Sequence, residues 1–120
     1  MLRDRSWKVS AIVFAALLVA APARAEFFGW QVSGVGPDDV LMVRAAPATD
    51  GQILVGYPEG TPLSLTGSCT GDLALDAING WPADAQADAV RTRWCEIWLD
   101  PLGSGDFQAG WVYGKYIAPL

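Results

Sequence analysis

The chain has 120 residues, 13 acidic against 8 basic side chains and a net charge of −5, enough for one modest domain. An acidic surface repels phosphate backbones and anionic lipid, which argues against nucleic-acid and membrane partners. It permits a basic or zwitterionic partner, and acidity kept for solubility needs no partner at all.

Met1 to Lys8 carries Arg3, Arg5 and Lys8. Val9 to Ala21 follows as a 13-residue run broken only by Ser10, and then Pro22-Ala23-Arg24-Ala25. A basic start, an apolar middle and a small-x-small end predict a secretory signal over 1–25, cleaved after Ala25. The apolar run is shorter than the 18 to 20 or so residues of a spanning helix, so no membrane insertion is expected after cleavage. Cleavage removes Asp4 and the bases Arg3, Arg5, Lys8 and Arg24. The remaining 95 residues, 26–120, then carry 12 acidic and 4 basic side chains and a net charge of −8. The product is expected to be periplasmic or secreted, and a monomer.

Phe27, Phe28 and Trp30 open the mature chain, and the expectation for this cluster is packing rather than an exposed patch. Gln31 to Val35 predicts the first strand, and Gly34, Gly36, Pro37 and Asp38 a turn. Val40 to Arg44 alternates, with Val40, Met42 and Arg44 on one face and Leu41 and Val43 on the other. Ala46 to Gly51 makes a loop through Pro47 and Asp50-Gly51, Ile53 to Val55 a short strand, and Pro58-Glu59-Gly60-Thr61 a tight turn. Thr61 to Thr66 is the next strand, with Leu63 and Leu65 on one face.

The 24 residues between Cys69 and Trp94 change character, setting Asp72, Asp76, Asp84 and Asp88 among alanines. They predict short helical pieces. Asp72 would cap a single turn ended by Gly80, and Pro82 would start a helix running through Ala89 to Arg91, with Trp81 as a hydrophobic staple before it. The aspartate pairs lack the alternating ligands and central Gly of a calcium loop, so no metal is assigned and no cofactor is expected. Cys95 to Leu99 alternates Cys95, Ile97 and Leu99 against Glu96 and Trp98; Asp100 to Asp106 is a hairpin loop, and Phe107 to Val112 returns. An even cysteine count in an exported chain predicts a disulfide between Cys69 and Cys95, closing a loop of 25 residues.

Leu41-Met42-Val43-Arg44-Ala45-Ala46-Pro47, Ile53, Pro58-Glu59-Gly60-Thr61, Leu63 and Leu65 resemble the opening half of a bacterial SH3 (SH3b) domain. Trp94-Cys95-Glu96-Ile97-Trp98 and Gly110-Trp111-Val112-Tyr113-Gly114-Lys115-Tyr116-Ile117 resemble its closing half. The resemblance implies an all-β, small SH3-like barrel of about five to six strands, with a short 3₁₀ turn at 113–116 before a closing strand from Ile117. The segment at about 70–93 departs from the family as a partly helical insertion between the third and fourth core strands.

Catalysis finds little support, with no histidine, no Ser positioned with a base and no phosphate-binding Gly loop; a carboxylate pair such as Glu96 with Asp106 recurs by chance in an acidic chain. The expectation is therefore not an enzyme. The resemblance implies a binding module of the cell envelope that recognises cell-wall peptide or another envelope component, with Tyr57, Trp81, Trp98 and Tyr113 as candidate contacts. The alternative is a stand-alone interaction partner, an inhibitor or assembly subunit, that uses the acidic insertion.

Overall fold

The computed structural model describes residues 28–100 and 103–120. The expected leader and Phe27 lie outside these residues, as do Pro101 and Leu102. Eight strands alternate with a few helical turns. They are β1 (Phe28–Val32), β2 (Val40–Arg44), β3 (Ile53–Pro58), β4 (Pro62–Cys69), β5 (Leu73–Ala74), β6 (Trp94–Leu99), β7 (Gln108–Tyr113) and β8 (Ile117–Pro119). The one helix among the described residues is α1 (Ala83–Val90), and 3₁₀ turns cover Leu75–Ile78 and Gly114–Tyr116. All pairing is antiparallel, in the order β3-β2-β7-β6-β4-β1-β8, with β5 added to β4. The chain is thus all-β with one helix. The ladder ends at β3 on one side and β8 on the other and does not close on itself.

Alternation decides which face is buried. Leu41 and Val43 of β2, Leu63 and Leu65 of β4, Cys95, Ile97 and Leu99 of β6, and Val112 of β7 all point inward. Trp30 and Val32 of β1 and Ile117 of β8 complete that side of the core. The expected tight turn forms at 58–61, where Thr61 N–H and Oγ1 both donate to the Pro58 carbonyl and Gly60 takes a φ of 83°. A positive φ at the third position is what a type II turn demands. At the open end of the sheet, β3 leaves Ile53 and Leu54 exposed.

The first strand is β1, at 28–32 rather than 31–35. Gly34 and Gly36 have φ of 90° and 93°, which bend the chain out of the ladder, and the Val35 N–H turns instead to the Glu59 carboxylate. Trp30 is buried and Phe28 packs against the core, as expected of the opening aromatic cluster.

The insertion is built into the core: Leu75, Ile78 and Val90 are all buried. Two local expectations fail. Asp72 caps no helical turn, because Leu73 and Ala74 pair back onto Cys69 and Ser68, and Asp72 sits with a φ of 61° in the connecting hairpin turn. The 3₁₀ turn starts after Ala74 without a side-chain cap. Pro82 does precede the helix, but Trp81 forms no staple, because the residue one turn inside is the polar Gln86. Its amide Nε2 donates to the carbonyls of Trp81 and Asn79 instead. Helix α1 lies against β8 and the turn at Gly114–Tyr116. A Cβ on Gly114 would run into the Val90 carbonyl, so the helix seats this closely only on glycine. The Arg93 guanidinium ties the piece down, donating to the carbonyls of Ala89, Thr70 and Gly71.

Cys69 and Cys95 form the predicted disulfide, directly opposite each other across β4 and β6. Among the described residues no helix is long and apolar enough to cross a membrane.

Candidate functional site

Strands β2 and β7 meet in register only at Arg44 and Trp111. Towards Val40 on one strand and Tyr113 on the other they part, and a groove of about 500 Å³ lies in the fork. Its lining comes from four places in the chain. Gly34 and Val35 belong to the turn after β1, and Asp39 to Met42 with Arg44 to β2. Thr49 belongs to the loop after β2, and Trp94, Tyr113 and Tyr116 to the closing hairpin and its 3₁₀ turn.

The aromatic floor follows from strand register. In the β6–β7 hairpin Trp94 pairs with Tyr113, Glu96 with Trp111 and Trp98 with Ala109, so alternate residues of both strands share the outer face. The rings of Trp94 and Tyr113 lie 5.3 Å apart and those of Tyr113 and Tyr116 6.4 Å apart, both pairs tilted. These are the spacings of packed aromatic pairs. Trp94 is also fixed at its backbone, where its N–H donates to Thr70 Oγ1 and its carbonyl accepts from the Thr70 N–H. Its neighbour Cys95 is cross-linked to β4. The floor thus rests on a part of the sheet fixed by both backbone hydrogen bonds and a cross-link.

The opposite wall is held by Glu59. Its two carboxylate oxygens accept from the Gly34 N–H at 3.0 Å and the Val35 N–H at 2.9 Å. The bond from Gly34, then that from Val35, holds the Glu59 carboxyl below the ordinary glutamate range, against a smaller opposing effect of desolvation. Two charged side chains line the groove at opposite ends of β2. Asp39 accepts from the adjoining Val40 N–H, and Arg44 donates one Nη1 bond to the Gly51 carbonyl. Between them Val40 and Met42 are exposed and apolar.

Of the four aromatics picked out by sequence, only Tyr113 lines the groove. Tyr57, on β3, pairs with Leu41 of β2 and packs against the core. Trp81 stands 49 % exposed between the Leu75–Ile78 turn and α1, and Trp98 meets Phe107 edge-on at 6.2 Å further along β6. Trp94 and Tyr116 line the groove without having been expected as contacts; the observed register, with Leu99 opposite Gln108, is what sets Trp94 beside Tyr113. Glu96 and Asp106 are not brought together. Glu96 accepts from Thr66 Oγ1 and pairs in register with Trp111 in β7, whereas Asp106 lies in the hairpin loop before β7, beside Ser104. Among the described residues no group of three or more His, Cys, Asp or Glu side chains gathers to hold a metal. The chain matches no protein-family model, no curated protein and no solved structure.

Proposed function

We propose that this protein is a non-catalytic SH3-like binding module of the periplasm or cell envelope, and that the groove between β2 and the β6–β7 hairpin takes an extended peptide. The observation that carries the reading is the floor of Trp94, Tyr113 and Tyr116 beside the exposed Val40 and Met42. Such a surface offers rigid apolar contact area with polar tips, the composition favoured where proteins hold peptides. The SH3-like assignment is supported by the hairpin β6–β7 leading through a 3₁₀ turn to a short strand paired with β1. An oxidising compartment is supported by the disulfide. Because a fold alone names no function, the weight falls on the groove.

The insertion is the weaker contact surface. Its apolar side chains Leu75, Ile78 and Val90 are consumed in the core, leaving Trp81 as its exposed aromatic. Co-sedimentation of the oxidised protein with purified cell-wall sacculi tests the reading. Saturable pelleting that Trp94→Ala and Tyr113→Ala abolish and Trp81→Ala leaves intact is the expected result. Pelleting lost only with Trp81→Ala would move the contact to the insertion, and no pelleting would remove the wall as the ligand.

A further inference from the structure

The groove's charges carry the argument one step beyond its aromatic floor. Among the described residues the only ion pair is Arg91 with Asp88. Arg44 therefore has no carboxylate partner in a chain where acidic side chains outnumber basic ones 13 to 8. One of its five N–H donors holds the Gly51 carbonyl, and the guanidinium, half-buried at the groove's end, keeps the rest of its fork for a ligand. Asp39, exposed at the other end, uses one oxygen on its own strand's Val40 N–H and meets no cation. Asp39 directly precedes β2 and Arg44 ends it, five residues on, or about 17 Å of extended backbone.

Resting on the groove as the peptide site, we propose that it reads both charged ends of a short extended peptide. Asp39 receives the ammonium, Arg44 receives the carboxylate, and about five residues span the interval. The fit is of length as well as charge, because an extended ligand rises by the same 3.3 Å or so per residue as the strand beneath it. A planar fork suits a carboxylate, and a compact ammonium suits a single carboxylate oxygen. Between the ends, Val40, Met42 and Tyr113 offer no charge, so the middle of the ligand is neutral with small or apolar side chains. The charges also set direction, since a peptide laid the other way would put like charges together at both ends.

The test is a nuclear magnetic resonance titration of the oxidised protein with penta-alanine in four forms: free at both ends, N-acetylated, C-amidated and blocked at both. Tri-alanine serves as the length control. Free penta-alanine is expected to shift the Trp94 and Tyr113 signals, with each blocked end weakening binding about fivefold. Tri-alanine, too short to reach both charges, should lose about as much as a one-end block. Asp39→Asn should erase the effect of acetylation but keep that of amidation, and Arg44→Gln the reverse. Because Arg44 also steadies the loop through Gly51, the peptide arms matter most, as they leave the protein untouched. If all four forms shift Trp94 and Tyr113 with equal affinity, the end-reading proposal is overturned while the groove stands as a peptide site. If none perturbs those residues, both fall.

Discussion

Replacing Cys69 and Cys95 together by alanine is the perturbation whose size the fold constrains best. The bond closes a loop of 25 intervening residues. In the chain-entropy account that is worth about 3.5 kcal/mol at room temperature. The native state adds little else to the ledger, because alanine leaves only small gaps where the two sulfurs were buried. For a domain of this size each kcal/mol moves Tm by about 4 to 8 °C, so the double variant should melt about 14 to 28 °C lower. The loop contains β5, the Leu75–Ile78 turn and α1, whose buried side chains must then be held by packing alone. Urea unfolding by tryptophan fluorescence gives the loss directly. A difference below about 1 kcal/mol with an unchanged m-value would refute the argument, since it would mean the link removes little freedom from the unfolded chain.

Three further outcomes follow from single contacts. Gly114→Ala forces a Cβ against the Val90 carbonyl, a backbone atom that cannot swing away, and should cost about 3 kcal/mol or more in thermal melts. A loss under 1 kcal/mol would mean the helix is not seated there. Arg93→Met strips a charged donor from three carbonyls and should cost about 2 kcal/mol, with faster hydrogen exchange confined to the 70–93 segment. Glu59 has a lowered folded pKa, so its brace is fully made above the unfolded value of about 4.3 and is lost as pH falls through the lower folded value. The Gly34 and Val35 amide signals should therefore titrate with a midpoint below 4.3 or so, and Glu59→Gln should remove the transition. A midpoint at or above the ordinary value would contradict the brace.

Most strands were legible because one face of each is apolar. Leu41 and Val43, Leu63 and Leu65, and Cys95, Ile97 and Leu99 alternate with less buried neighbours, and all are buried. The 3₁₀ turn before β8 and the disulfide also came through. The groove was less legible, because it depends on register. A hairpin loop of 100–106 would pair Leu99 with Phe107 and Trp94 with Val112; β7 begins one residue later, and that single step sets Trp94 beside Tyr113. Residue type alone singled out Tyr57, Trp81 and Trp98, yet nothing local tells which aromatics converge where two strands part. The end of β1 differs from expectation for a simpler reason, since Gly34 and Gly36 turn the chain away after Val32 where hydrophobicity alone would continue the strand through Val35.

Strand β1 has β4 on one side and β8 on the other, with Trp30 opposite Pro119 and Val32 opposite Ile117. The hairpins β2–β3 and β6–β7 close over short loops and can form early. The β1–β8 contact joins residues more than 80 positions apart, so it carries the largest loop-closure cost and comes late. Until β8 docks, Trp30 and Val32 lack their final cover. A chain lacking Ile117–Pro119 would thus be left with a raw strand edge beside the buried Trp30, a state prone to sticking to its neighbours.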